Sequence, residues 1–213
     1  MGKISQLIEQ YKTKKLEIEK RLEEFRNILK QSDERIFAEL AFCICTPQSK
    51  AITCWNAISF LTKNDILFKG DVEQIRSFLN AVRFGDKKAS YIAEARNFFT
   101  ENGKLKIKEK IKEFENVFKL REWLVENIKG LGFKESSHFL RNIGLGKNLA
   151  ILDVHVLKNL KEYGVIKDTP KPVTKKTYLE IENEMRKFSK SVSIPLEDLD
   201  LLLWSKETGK IFK

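Results

Sequence analysis

Apolar residues recur three and four positions apart along almost the whole chain, as in Leu7, Tyr11, Ile18, Leu22 and Phe25. That spacing lays an apolar stripe along one face of an α-helix. Sustained apolar–polar alternation, the mark of a half-buried strand, is absent, so the predicted class is all-α. Helix starts are signalled by residues whose side chains cap free backbone amides. These are Ser32 before DERIFAELAFCI, Thr46 with Pro47 as the first helical residue of QSKAITCWNAISFL, Asp71 before VEQIRSFL, and Thr174 before KKTYLEIENEMRKF. Gly103, Gly144 and Gly164 each follow a periodic segment and are the expected stops, since a residue without Cβ closes a helix in the left-handed conformation. The pattern predicts a compact bundle of about ten helices with short connections.

One linker stands out, KDTPKPVT at residues 167–174. Beyond it, residues 174–213 form C-terminal helices and a tail, and the leucines of LEDLDLLLWSKETGK require the last helix to pack back onto the body. The chain of 213 residues is long enough for one unit made of two small helical lobes. Three cysteines, Cys43, Cys45 and Cys54, sit in apolar surroundings and read as reduced core residues, which suits the cytosol.

Charge narrows the class of partner. Forty Lys and Arg against thirty Asp and Glu leave a net +10, which draws the protein to polyanions through counterion release. Nucleic acid is the natural candidate, although charge alone leaves a basic protein without one open. No apolar run approaches the roughly 20 residues of a membrane span, and the opening MGKISQLIEQYKTKK lacks a signal peptide's apolar region. No membrane partner is expected, and a monomer is.

The most informative stretch is WLVENIKGLGFKESSHFLRNIGLGKNLAILD, residues 123–153. A helical turn leads through Lys129-Gly130-Leu131-Gly132 into a second helix at Phe133. Glycines at this spacing let the backbone turn tightly, and they leave amide groups at a helix N-terminus facing an anion. By itself this is either a phosphate cradle or a plain helix–helix turn. Lys134 follows in the first helical turn, and Asp153 comes nineteen residues later, before VHVLKNLKEYG. Lys134 alone reads as a phosphate-binding cation and Asp153 as an N-cap. His138 and His155 are the only histidines, and neither has a second ligand at a metal-binding spacing.

Together these features resemble the helix-hairpin-helix superfamily of DNA glycosylases, with the motif at residues 123–144. More closely, GLGFKESSHFLRN followed by AILDVH is similar to the compact prokaryotic class of 8-oxoguanine DNA glycosylase/AP lyase. Weaker likeness extends through FCICTPQ, RFGDKKASYI and the C-terminal tail. The resemblance implies a two-lobed helical fold with the hairpin at its centre and double-stranded DNA containing 8-oxoguanine as partner. It implies Lys134 as the nucleophile that displaces the base and forms a Schiff base, Asp153 as its carboxylate, and Gly130, Gly132 and Lys129 as phosphate contacts. Lys134 must be neutral when it attacks, and Lys129 together with the helix N-terminus is the expected source of the positive charge that favours this. No cofactor is required. A monovalent cation on the hairpin's backbone carbonyls is implied, whereas the four-cysteine iron–sulfur loop of the related endonuclease III enzymes is excluded, because no cysteine follows Cys54.

A glycosylase must swing the nucleotide out, stack its base and satisfy its polar edge. The resemblance points to Phe84 and Trp204 for stacking, to Gln48 for the space the base vacates, and to the terminal Lys213, whose carboxylate suits the N–H donors of a guanine edge. Each has a plainer reading as a core aromatic, a surface glutamine or a frayed end. A non-catalytic DNA-binding module and an enzyme for another oxidised base stand as alternatives.

Overall fold

A computed structural model describes residues 2–213. Among them are twelve helices. The N-terminal half contains α1 (Lys3–Ile28), α2 (Asp33–Cys45), α3 (Ala51–Lys63), α4 (Ile66–Lys69), α5 (Val72–Ser77) and α6 (Gly85–Phe98). After a two-stranded hairpin, β1 (Thr100–Glu101) and β2 (Lys104–Leu105), come α7 (Ile107–Lys112), α8 (Val117–Asn127) and α9 (Phe133–Asn142). The chain ends with α10 (Val154–Glu162), α11 (Lys175–Ser191) and α12 (Leu196–Thr208). No helix among the described residues is long and apolar enough to cross a membrane.

Capping chemistry accounts for most helix starts. Ser32, Asp71 and Thr174 each accept a backbone N–H from the first turn of α2, α5 and α11, and Asp71 with Gln74 completes a reciprocal box. Two expectations are overturned. Thr46 is the C-cap of α2 rather than an N-cap, Pro47 and Gln48 lie in a turn, and α3 starts only at Ala51. Gly103 ends no helix. With Asn102 it forms the hairpin turn between β1 and β2, both residues at positive φ (48° and 74°), as a two-residue Asn-Gly turn requires.

Two apolar cores divide the molecule. The first is built from α2 through α9 and runs from Ile28 to Leu149. The second joins α1, through Leu7, Ile18, Leu22 and Phe25, to residues 150–211, including the α12 leucines. The two lobes are thus not two halves of the sequence, since the first helix completes the last lobe. The seam falls between Leu149 and Ala150, and α9 lies along it, with Phe139 and Leu140 in the first core and Phe133 against the second. All three cysteines are reduced and buried.

Candidate active site

Between α8 and α9 five residues, Ile128 to Gly132, turn the chain back. The Leu131 N–H donates to the Ile128 carbonyl at 3.2 Å. Gly130 has φ +87°, and a Cβ there would lie 2.8 Å from the Tyr91 ring, so glycine is required on two counts. The Gly132 N–H donates to Glu135 Oε2 at 3.2 Å. One of the amides expected to meet a phosphate is therefore held by an internal carboxylate standing in for an anion.

Lys134 is the second residue of α9, and its Nζ lies 2.9 Å from Glu135 Oε1. An attacking amine has to leave that pair. Asp153 caps α10, with Oδ1 accepting the His155 and Val156 amides at 2.9 and 2.8 Å. Among the described residues nothing donates to its Oδ2, so one oxygen holds the carboxylate in place while the other is free.

The short segment that carries Asp153 is fixed from behind. The Ala150 N–H donates to Glu182 Oε1 at 2.9 Å, and Tyr178 donates its hydroxyl to the Ala150 carbonyl at 2.6 Å. Glu182 in turn receives two bonds from Arg121, at 2.6 and 3.0 Å. Both members of this pair are almost fully buried.

One open cleft along the seam is lined by Lys134, Asp153, Gln48, Gly132, Trp204 and Lys213. Lysines 50, 158, 161, 171, 175 and 210 also border it, giving a basic mouth. Three predicted residues lie elsewhere. Lys129 is exposed and pairs with Glu94 at 2.7 Å, so it does not supply charge beside Lys134, and Gly130 serves the turn behind the cleft. Phe84 is half exposed at the start of α6, with the Arg83 guanidinium 5.1 Å from its ring centroid. Gln48 borders the cleft from an exposed turn at φ 55°, not from the predicted helix start. Lys213 borders it too, but its ammonium turns away, pairing with Glu39 and lying 3.3 Å from the Trp55 ring centroid.

A family model described as 8-oxoguanine DNA glycosylase matches residues 18–194. An 8-oxoguanine DNA glycosylase/AP lyase from Fusobacterium nucleatum is 47% identical over 204 residues, covering 95% of this chain and 94% of that one. The chain belongs to this family. The crystal structure of Methanocaldococcus jannaschii 8-oxoguanine DNA glycosylase is similar, with a TM-score of 0.88 and 38% identity, covering 99% of this chain and 95% of that one. A structure of the glycosylase/lyase from the same organism, in complex with a 15mer DNA containing 8-oxoguanine, gives a TM-score of 0.87 at 37% identity, covering 98% and 100%.

In this member of the 8-oxoguanine DNA glycosylase family, a buried polar layer beneath the cleft escapes sequence reading. Arg141 Nη1 donates to Asp200 Oδ2 at 2.9 Å, and both residues line the cleft floor. Burial pushes Asp200 up to about 7 against the pull of Arg141. Asn142 donates to Glu39 at 3.0 Å, and Glu39 also pairs with Arg35 at 2.7 Å and with Lys213. Burial lowers Lys213 to about 8, with Glu39 opposing. A usable signal did exist. Arg141 stands three and seven residues after His138 and Lys134, on their helix face, and Asp200 stands four before Trp204.

His138 is buried edge-on to Phe42, at 5.4 Å between ring centroids. Burial first, and then the charges of Arg141, Lys134 and Lys213, hold its pKa well below 6.5. Below pH 6.5 the unfolded chain binds a proton that the folded chain refuses, so stability falls with acidification, by up to about 1.4 kcal/mol per pH unit. His138→Gln is expected to lessen the stability lost between pH 7 and pH 5. Chemical denaturation at the two pH values checks this, and an unchanged difference would remove His138 as a source.

Proposed function

We propose that this chain excises 8-oxoguanine from duplex DNA and cleaves the abasic site through a Schiff base on Lys134. The observation that carries this reading is that Lys134 and Asp153 line one cleft with a basic mouth. The mouth draws the phosphate backbone, and the hairpin presents a helix N-terminus to it. The Lys134 amine attacks the sugar's anomeric carbon, and the base departs with the bonding electrons and takes up a proton. The sugar ring then opens, the C1′–O4′ bond breaking toward an O4′ that takes up a proton while the nitrogen lone pair forms the C=N bond. The imine so formed allows loss of a C2′ proton and departure of the 3′ phosphate with the C3′–oxygen bonding electrons. Asp153 stabilises positive charge developing on the sugar and receives the amine's proton. Trp204 and the main chain of Lys213 serve as the cleft surfaces that meet the base, while Gln48 and Phe84 face the duplex. The Lys129 and Gly130 carbonyls, which accept no hydrogen bond among the described residues, would be the hairpin groups to hold the implied monovalent cation. Bound there, it would add positive charge where the hairpin meets phosphate.

Borohydride, which reduces the imine to a stable adduct, tests the reading on a panel of duplexes. Trapping is expected with 8-oxoguanine and not with undamaged guanine or an oxidised pyrimidine. Preferential trapping on the pyrimidine would reassign the substrate, and none on any damaged duplex would end the enzymatic reading. Asp153→Asn should lower single-turnover base release by roughly 10²–10⁴-fold. Asparagine caps helices about as well as aspartate, so melting and DNA affinity should change little. Near-normal turnover in that variant would leave Asp153 as a cap alone.

A further inference from the structure

One buried charge lies beside the cleft rather than in it. Lys88, in the first turn of α6, is 4% exposed. Its Nζ donates to the carbonyls of Cys45 and Pro47, both at 2.7 Å, and to Ser49 Oγ at 3.3 Å. Cys45 ends α2, so the ammonium sits at the negative end of that helix. Burial lowers the Lys88 pKa, and Lys134 pushes the same way, so the three acceptors hold a charge that its surroundings oppose. Lys88 does not reach the cleft surface and has no direct part in the reaction.

What it holds is a junction. The Ser49 hydroxyl that receives Lys88 also accepts the Arg83 N–H at 2.9 Å, tying the turn that carries Gln48 to the turn that carries Phe84. Gln48 and Phe84 are both exposed and both in the left-handed region, at φ 55° and 59°. A non-glycine residue there costs on the order of 1 kcal/mol and persists only where its surroundings over-determine it. The Lys88 ammonium, with Ser49, supplies that constraint for both turns at once. Behind Phe84 the chain is equally confined, because a Cβ on Gly85 would lie 2.9 Å from the Leu79 carbonyl.

We propose that Lys88 is a positioning residue for base extrusion: its ammonium locks the Gln48 and Phe84 turns into one rigid unit that holds the duplex open while the nucleotide occupies the cleft. The proposal rests on the reading above that Gln48 and Phe84 face the duplex. An abasic site has no base to unstack, so extrusion matters far less for it. The two substrates therefore separate positioning from chemistry.

The test uses the full chain with Lys88→Met, Gln48→Ala and the double variant, each checked by thermal melting. Single-turnover base release from an 8-oxoguanine duplex is compared with cleavage of a preformed abasic duplex, and 2-aminopurine beside the lesion reports extrusion. Lys88→Met is expected to slow base release about 30-fold with a weakened 2-aminopurine signal, and to change abasic cleavage by no more than about 3-fold. The double variant should be little slower than the slower single one. Equal losses on the two substrates, or losses that multiply in the double variant, would overturn the proposal. A slow Gln48→Ala with a normal Lys88→Met overturns it alone, whereas a normal Gln48→Ala sinks the reading of Gln48 and the proposal with it. If Lys88→Met does not fold, Ser49→Ala cuts the same junction and should give the same substrate split on a smaller scale, and its absence would count against the proposal equally.

Discussion

Lys134→Gln is expected to abolish the borohydride-trapped adduct and to lower strand cleavage by at least roughly 10³–10⁴-fold, because an amide cannot attack the sugar or form an imine. Binding should survive. The substitution removes one cation of forty, and its expected cost in DNA affinity is a salt dependence flatter by about one counterion. Glutamine also loses the ion pair with Glu135, a contact in a partly exposed first turn that contributes about 1 kcal/mol or less. The variant should thus fold, bind and fail to react. Gel shifts at two salt concentrations beside a trapping assay measure both halves, and substantial cleavage by the variant would show that the nucleophile is another group.

Glu182→Gln is expected to be the most destabilising single change outside the apolar cores. It leaves the Arg121 guanidinium, 1% exposed, without the carboxylate that receives two of its hydrogen bonds. Breaking one side of such a buried pair costs about 3–5 kcal/mol, or roughly 6–20 °C of melting temperature in a chain of this size. Glu182 Oε1 also holds the Ala150 amide, three residues before Asp153, so base release should fall even at temperatures where the variant is folded. Replacing both partners by apolar residues, Arg121→Met with Glu182→Leu, should recover most of the stability but not that amide bond. Differential melting of the single and double variants, with single-turnover rates at 25 °C, reads the two effects apart. A Glu182→Gln variant that melts like the parent would show that the pair contributes no net stability.

How far the chain can be read in advance follows from how local each interaction is. Ser32, Asp71 and Thr174 mark helix starts because a cap needs only its own next three residues. That Lys134 and Asp153 border one cleft can be anticipated because the hairpin places turn, lysine and capping carboxylate in one continuous stretch. Thr46 and Pro47 carry the same local signal as a true start, yet they lie in a turn. The ammonium that stabilises the turn comes from Lys88, some forty residues away, and no local rule sees it. The same limit hides which partners meet in the Arg141–Asp200 and Glu39–Lys213 pairs, 59 and 174 positions apart, even though the place of Arg141 on the Lys134 helix face can be read. Asp200 in LEDLDLLLW looks like a solvated residue until the helix is docked. Gly103 reads as a helix stop for a different reason. Asn-Gly is a strong hairpin signal, but its flanking strands, two residues each, are too short to show alternation.

The dependence of the second core on α1 has a consequence for biosynthesis. The first helix is made well before the surfaces that Leu7, Ile18, Leu22 and Phe25 pack against, which are encoded largely after residue 149. The lobe from α2 to α9 can close while synthesis continues, but α1 must wait, its leucines open to solvent and to chaperones, until α12 emerges. Stalled nascent chains ending near residue 150 should therefore be cut by protease within α1 and resist it within α2, a contrast that disappears on the released protein.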